Sequence, residues 1–111
     1  MPKLCVLKQN TEFRTAYYRG KSYVHPLVIV YIRKNRFGIP RLGITTGKKI
    51  GKAVKRNRCR RLIREAYRHI LPEITQGVDL VFVARTATID SNTGKVEQAM
   101  RELLKKAGVL L

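Results

Sequence analysis

Hydrophobic residues recur at two different spacings along this chain, and each spacing predicts a different kind of element. In the segment LVIVYIR, from Leu27 to Arg33, every second residue belongs to a purely apolar face that contains Val28, Val30 and Ile32. The opposite face grades from apolar to basic along the segment. VDLVFVAR is similarly apolar and predicts a buried strand, and RLGITTG predicts a further strand that a glycine ends. A short strand piece, SYV, precedes the first of these strands.

Near the beginning of the chain, the segment NTEFRTAYYRG has the spacing of a short amphipathic helix. Phe13, Ala16 and Tyr17 fall at positions i, i+3 and i+4, which share one helical face. Asn10 or Thr11 is the expected N-cap, because short polar side chains accept hydrogen bonds from the free amides of the first turn. The segment therefore predicts a helix with one apolar face.

A longer helix is expected from about Val54 to Ile70, where Pro72 ends it. Its apolar residues fill one arc of a helix of 3.6 residues per turn. These residues are Cys59, Leu62, Ile63, Ala66, Tyr67 and Ile70. A final amphipathic helix is expected from Val96 to Lys106, after the loop TIDSNT and before a glycine.

The predicted elements follow the order α-β-β-β-α-β-α, which favours an α+β sandwich around one mostly antiparallel sheet. Two or three layers are compatible with this order, and we expect a two-layer sandwich. At 111 residues, of which 44% are hydrophobic, the chain can form one core, so we expect a single domain over residues 1–111. The strand patterns predict that one sheet face is fully covered. The other face should be partly open, with basic and aromatic groups near one end.

The charge balance narrows the choice of partner. Twenty-four Lys and Arg residues oppose seven Asp and Glu residues, a formal net charge of +17. Such self-repulsion is relieved by a polyanion, so nucleic acid is the expected partner and an anionic membrane surface the weaker alternative. No apolar run approaches the length of a membrane span, and MPKLCVLKQN lacks the apolar core of a signal peptide. We expect a soluble, cytoplasmic protein.

Metal and disulfide chemistry find little support in the sequence. Cys5 and Cys59 lie far apart, and neither belongs to a CxxC pair, so a zinc site is not expected. A disulfide between them is possible, but two reduced thiols in a reducing compartment fit the other features better. His25 and His69 lie on different predicted elements and suggest no metal site or catalytic triad. We predict no metal site and no catalytic residue in the protein itself.

The positive charge is concentrated in GKKIGKAVKRNRCRRLIREAYR, residues 47–68, which contains ten Lys and Arg residues and one acid, Glu65. On the predicted helix, the basic and polar residues fill an arc beside the apolar one; they are Arg56, Asn57, Arg60, Arg61, Arg64 and Arg68. Like charges at i, i+4 destabilise an isolated helix, and solvated faces normally mix signs. A bound phosphate backbone would reverse that cost, since arginine forms forked contacts with phosphate.

The same segment resembles a known family motif. GKKIGKAVKRNRCRRLIRE is similar to the RNR motif of the protein subunit of bacterial ribonuclease P, and the resemblance extends to FRTAYYRG, VIVYI and VDLVFVAR. It implies an α/β fold with an unusual left-handed β-α-β crossover. It further implies a non-catalytic protein cofactor of an endoribonuclease (EC 3.1.26.5) in which an RNA subunit, using Mg²⁺, removes the 5′ leader of precursor tRNA. The implied partners are that RNA and precursor tRNA, with no membrane and no protein partner.

Functional residues follow from the resemblance position by position. Residues expected to bind the RNA subunit are Lys48, Lys49, Lys52, Arg56, Asn57, Arg60, Arg61, Arg64 and Arg68. Residues expected to form a cleft for the 5′ leader are Phe13, Tyr17, Tyr31, Arg33 and Arg85. Tyr17 stands where many relatives have Phe, and Thr86 where a lysine is common, so a basic contact at that edge of the cleft stays open. The early arginine usual in the family is missing.

Two other functions compete with this interpretation. A different RNA-binding module, such as a ribosomal protein, would carry a similar charge. The ordered motif and the aromatic cleft separate the two functions and favour the ribonuclease P subunit. A nuclease acting through its own side chains would need clustered carboxylates around metal ions. The seven acids of this chain are spread out, with no two closer than four residues in sequence.

The aromatic residues could equally be core residues, because Phe13 and Tyr17 at i, i+4 are typical of packing.

Overall fold

The computed structural model describes residues 5–75 and 77–111. The helices and strands follow the predicted α-β-β-β-α-β order, with one short extra helix before the last. They are α1 (Asn10–Arg19), β1 (Lys21–Val24), β2 (Val28–Lys34), β3 (Arg41–Thr45), α2 (Ala53–Ile70), β4 (Val78–Ala84), α3 (Thr86–Ile89) and α4 (Thr93–Lys106). Short 3₁₀ turns at Lys48–Ile50 and Leu71–Glu73 flank α2.

The four strands form one sheet in the order β1-β2-β4-β3. β1 pairs antiparallel with β2, and β2 antiparallel with β4. β3 lies parallel to β4, so the chain from β3 through α2 to β4 crosses between two adjacent parallel strands. The mixed α+β fold is confirmed; the left hand of this crossover stays an expectation from the resemblance.

One face of the sheet carries the main core. Val28, Val30 and Ile32 of β2 are buried there, as the alternation predicted. The buried residues of α2 are the six apolar residues predicted to share its arc: Cys59, Leu62, Ile63, Ala66, Tyr67 and Ile70. Helix α4 packs beside α2 and buries Val96 and Met100, among others. Burying a large aliphatic side chain contributes about 1.5–3 kcal/mol, so this face holds α2 firmly to the sheet.

The opposite face is covered only in part, by α1. Leu7, Ala16 and Val81 form a small buried cluster, with Phe13 and Tyr31 packed against it. Gly43 of β3 makes room for this contact: a Cβ at that position would lie 2.7 Å from Cε1 of Phe13. The sheet therefore has the predicted partly open face, and α1 covers the part of it that is closed.

The beginning of α1 differs from the prediction. The N-cap is Gln9 rather than Asn10 or Thr11, which are already helical. Oε1 of Glu12 accepts hydrogen bonds from the backbone amides of Gln9, at 3.0 Å, and Lys8, at 3.1 Å. The Gln9 amide is the main cause of a lowered pKa of the Glu12 carboxyl. Glu12, at the third helical position, thus reaches back to the amide of the N-cap residue, as the glutamate of a capping box does.

Helix α3 was not predicted, since TIDSNT was expected to be a loop. It is a single turn of four residues, too short to leave a periodic signal. The cap of α4 does fall within that segment, because the side chain of Asn92 accepts a hydrogen bond from the amide of Lys95 at 2.9 Å. Within residues 5–75 and 77–111, no helix is both long and apolar enough to cross a membrane.

Candidate RNA interface

The outer surface of α2 presents the predicted row of basic residues, here called the α2 ridge. Its members are Arg56, Asn57, Arg60, Arg61, Arg64 and Arg68. Four of them are exposed, whereas Arg56 and Arg60 are half-buried. From Arg56 to Arg68 the ridge extends over about 18 Å, at 1.5 Å per residue. A rigid helix thus holds several guanidinium groups on one side, which suits contact with a phosphate backbone.

The lysines that precede α2 continue this basic surface. Lys48 and Lys49 lie in the 3₁₀ turn and Lys52 is the residue before α2; all three are exposed. Gly51, between them, has a φ of +113°, a conformation that side chains rarely adopt. The glycine allows the chain to turn sharply from the lysine-rich turn into the helix. All nine residues predicted to bind RNA therefore lie along one continuous stretch.

Local hydrogen bonds hold parts of this surface in place. Nε of Arg56 donates to the carbonyl of Gly51 at 2.9 Å. Arg58, on the other side of α2, donates to the carbonyls of Ile89 and Ser91 at 2.8 and 2.9 Å. Arg58 is therefore an anchoring residue that fixes α2 to the segment following β4. Sequence reasoning missed it because its partners lie more than thirty residues away.

The acidic residues leave the ridge uncompensated. Within the described part of the chain, the ion pairs of carboxylates involve arginines 41 and 101 and the two histidines, and none involves a ridge residue. Five of the seven acids take part in these pairs: Glu12, Glu73, Asp79, Glu97 and Glu102. Across the described residues there is no group of three or more His, Cys, Asp or Glu side chains that could hold a metal ion.

Arg41 joins α1 to the end of the sheet. Its Nε and Nη2 atoms donate to the two carboxylate oxygens of Asp79, both at 2.8 Å, and Nη1 donates to Glu12 at 2.6 Å. Asp79 is only 2% exposed and also accepts from Asn35 at 2.7 Å. The guanidinium stacks on Phe37, 4.2 Å from the ring centroid. The hydrogen bonds to the Asp79 carboxylate are the main cause of a raised pKa of Arg41.

A groove runs between α1 and the ridge, over the β3 edge of the sheet. Its larger part has a volume of about 390 Å³ and is lined by Asn10, Phe13, Arg14, Tyr17, Ile44, Thr45, Thr46 and Arg60. An adjoining part of about 230 Å³ reaches Arg64 and shares Phe13, Ile44 and Arg60 with the first. We call the two parts together the α1–α2 groove. Arginines from both helices face a floor that includes aromatic side chains.

The three predicted aromatic residues come together, but they are not equally accessible. Tyr17 is 36% exposed, and its ring meets that of Tyr31 edge-on, with centroids 4.9 Å apart. Its hydroxyl lies 2.6 Å from Oγ1 of Thr45. Phe13 points toward Gly43 and supports the small cluster. Tyr17 is thus positioned to offer a ring to a ligand, while Tyr31 and Phe13 mainly hold it in place.

Arg33 and Arg85 lie at opposite ends of the β2–β4 pair. The expectation that the basic groups lie together near one end of the sheet is therefore wrong. β2 and β4 are antiparallel, with Arg33 opposite Asp79 and Val28 opposite Ala84. Arg85 follows Ala84 and therefore lies beyond the other end of β2, level with Leu27 and about 20 Å from Arg33 along the strand at 3.3 Å per residue. Nη1 of Arg85 donates to the carbonyl of His25 at 3.2 Å.

The groove also contains residues that are not among the predicted site residues. Arg14 and Asn10 come from the outer side of α1, and Thr45 and Thr46 come from the end of β3. Arg14 has a partial signal in the sequence, since it follows Phe13 directly in a helix with one apolar face. The two threonines had none, because their role depends on the distance between α1 and α2.

Comparison with known proteins identifies the family. The Ribonuclease P family model matches residues 1–108. A ribonuclease P protein component from Clostridium botulinum (strain Loch Maree / Type A3) is 49% identical over 104 residues, covering 93% of this chain and 94% of that protein. The solved RNase P protein of Staphylococcus aureus has a TM-score of 0.86 at 32% identity, over 98% of this chain and 100% of that one. A Staphylococcus aureus RNase P protein mutant with defective mRNA degradation activity has a TM-score of 0.85 at 33% identity, over 95% and 89%. The chain therefore belongs to the ribonuclease P family and is the protein component of an endoribonuclease whose catalytic subunit is RNA.

Proposed function

We propose that the α2 ridge and the lysines before it bind the RNase P RNA, and that the α1–α2 groove holds the single-stranded 5′ leader of precursor tRNA. The protein would then act by binding and orienting the substrate beside the RNA, which would hold the Mg²⁺ ions and carry out the cleavage. This work would take place in the cytoplasm. No side chain of the protein is assigned a catalytic role.

One observation carries the proposal: Arg60 belongs to both surfaces. It is a central member of the α2 ridge, and it lines both parts of the groove that contains Tyr17. An RNA bound along the ridge and a strand lying in the groove would therefore be neighbours. This arrangement would bring the leader close to the catalytic RNA without any contact specific to its bases.

The chemistry of the groove fits a single strand of variable sequence. Aromatic faces beside cations bind unpaired bases and phosphates without reading sequence, and each base stack contributes about 1–3 kcal/mol. Arg14 and Arg60, on opposite sides, can each contact a phosphate. The ring of Tyr17 lines the same groove, is 36% exposed and can stack on a base.

The test compares precursor tRNA bearing a leader with mature tRNA, both bound to the complex of the protein with RNase P RNA. Tyr17→Ala should weaken precursor binding by about 5- to 150-fold, corresponding to about 1–3 kcal/mol for one lost stack. Tyr17→Phe, which keeps the ring and loses only the hydroxyl contact with Thr45, should retain most of the affinity. Binding of mature tRNA should change little with either variant, because it has no leader.

Tyr18→Ala is the matched control, since Tyr18 is on the same helix, is 86% exposed and does not line the groove. It should bind both RNAs as the unmodified protein does. If Tyr17→Ala lowered the affinity for both RNAs equally, and lowered the melting temperature in parallel, Tyr17 would be a packing residue and the leader proposal would be wrong.

Messenger RNA is a second candidate ligand for the same groove. The groove offers stacking and phosphate contacts but no visible means of selecting a base, so an unpaired segment of mRNA would fit as well as a leader. The Staphylococcus aureus mutant described above also connects a relative with mRNA degradation. An unstructured mRNA fragment should therefore compete with precursor tRNA for the protein, and Tyr17→Ala should weaken that competition.

A further inference from the structure

A second groove lies at the opposite edge of the sheet from the α1–α2 groove. It has a volume of about 620 Å³ and is built from the end of α1, β1, the end of β2, the start of β4 and the residues after α4. β1 and β3 are the two edges of the sheet, so the two grooves lie three strand spacings apart, about 14 Å. We call this second site the β1-edge groove.

The floor of the β1-edge groove is apolar and partly aromatic. Tyr23 of β1 is partly exposed and packs against the main core beside Ile32. Val78 and Val109 complete the floor, and Gly77 and Gly108, both with positive φ, form walls without side chains. This volume falls within the range of small-ligand pockets, and its floor suits a flat, weakly polar group.

The rim of the β1-edge groove is basic. Arg19, Lys21 and Lys34 line it, all three are exposed, and no acidic residue is among the lining residues. Within the described part of the chain none of the three forms an ion pair. Arg19 is in the last turn of α1, where a cation is favoured by the helix dipole. Lys21 and Lys34 come from the neighbouring strands β1 and β2 and line the same groove, so two positive charges lie there without a carboxylate partner among the described residues.

From this combination we propose that the β1-edge groove binds an unpaired nucleotide of the RNA partner, with its base against Tyr23 and its phosphate between Lys21 and Lys34. A polyanion relieves the repulsion between the two lysines, and an apolar floor adds affinity for a base that a bare anion lacks. The inference rests on the RNA partner and is independent of the leader proposal, because no residue is shared between the two grooves.

The absence of tryptophan from the chain allows a local test. Tyr23→Trp introduces a single tryptophan into the floor, and its fluorescence should be quenched when a short oligouridylate is added. In the Tyr23→Trp background, Lys21→Ala with Lys34→Ala should abolish most of the quenching. Removing two phosphate contacts should also reduce the slope of log K against log salt by about 1.4, at about 0.7 per contact for single strands.

Lys105→Ala with Lys106→Ala is the matched control, because it removes the same charge from exposed positions that do not line the groove. It should leave the quenching intact. Amide chemical shifts of Gly77 and Gly108 in the unmodified protein provide a second measurement that needs no substitution in the floor, and both should move when oligouridylate is added.

Two results would overturn the proposal. One is an absence of chemical-shift changes at Gly77 and Gly108 while Gly51, the glycine just before α2, does respond to the same oligouridylate. The other is an equal response of the groove to oligoglutamate, a polyanion without bases, which would show a purely electrostatic surface. Either result would leave the α1–α2 groove proposal untouched, since that groove has its own reporter in Tyr17.

Discussion

Replacing Arg41 with methionine tests the Arg41–Asp79 ion pair, the most deeply buried one within residues 5–75 and 77–111. The substitution keeps an unbranched apolar side chain of similar length but removes the guanidinium. The carboxylate of Asp79, 2% exposed, then keeps only the hydrogen bond from Asn35. Removing one partner of a buried pair costs about 3–5 kcal/mol, because the remaining charge is left without compensation. The structure therefore predicts that this single substitution greatly lowers the free energy of unfolding, although part of the Arg41 side chain reaches the surface.

The expected shift in melting temperature follows from the size of the chain. Unfolding entropy is about 2.1 cal/mol/K per residue, or about 0.23 kcal/mol/K for 111 residues. A loss of about 3–5 kcal/mol should then lower Tm by about 13–21 °C. Thermal unfolding followed by circular dichroism measures this directly, and urea titration gives the free energy independently.

Arg101→Met is the matched control for Arg41→Met. Arg101 also bonds to two carboxylates, those of Glu73 and Glu97, at 2.6 and 3.0 Å, but the three side chains are 33%, 47% and 23% exposed. Exposed pairs contribute about 0.2–1 kcal/mol each, so loss of the two pairs should lower Tm by less than about 9 °C. Both variants remove one positive charge, so a difference between their melting temperatures cannot come from the change in net charge.

A double variant sharpens the test of Arg41. Adding Asp79→Asn to Arg41→Met removes the stranded charge and should recover part of the lost stability, since a neutral amide is less costly to bury. Equal losses for Arg41→Met and Arg101→Met, or no recovery in the double variant, would refute the reasoning that burial of Asp79 sets the cost.

Three further predictions concern RNA binding and the fit of α1 on the sheet. Arg60→Ala with Arg64→Ala should weaken binding of RNase P RNA and flatten its salt dependence by about 1.8, at about 0.9 per duplex phosphate contact, without unfolding the protein; an unchanged slope in a salt titration would contradict the ridge assignment. The purified protein, freed of RNA by nuclease and supplied with magnesium, should not cleave precursor tRNA until the RNA subunit is added; cleavage by the protein alone would disprove this. Gly43→Ala should destabilise the fold by about 1–3 kcal/mol in urea titration, because the new methyl group would lie 2.7 Å from the Phe13 ring; unchanged stability would mean that α1 adjusts freely.

The sequence was sufficient for features that depend on periodicity. The six buried residues of α2 and the exposed ridge beside them follow from a 3.6-residue repeat, because a helix fixes the relative directions of its side chains. The covered and open faces of β2 follow in the same way from alternation. These are local consequences of backbone geometry, so no tertiary information is needed.

Features that depend on strand order could not be predicted. Arg33 and Arg85 were expected near one end, and only the antiparallel pairing of β2 with β4 places them at opposite ends. Arg41 and Asp79 are 38 residues apart, and nothing in either segment indicates that they pair. The α1–α2 groove exists because α1 crosses one face while α2 packs on the other side of β3, which is a property of the whole fold.

The position of β4 in the sheet has a consequence for how the protein is made. β2 and β3 are not neighbours; each is hydrogen-bonded to β4, which is the last strand along the chain. During synthesis, residues up to 77 can form helices and the β1–β2 hairpin, but β3 has no strand to pair with until β4 emerges. Such non-local pairing is slow to form, and chains emerge at about 5–20 residues per second. Helix α2 lies in the segment between β3 and β4, so its basic surface leaves the ribosome before its apolar face has a sheet to cover. The sheet therefore closes late, and the basic helix α2 stays undocked from it until β4 has been synthesised.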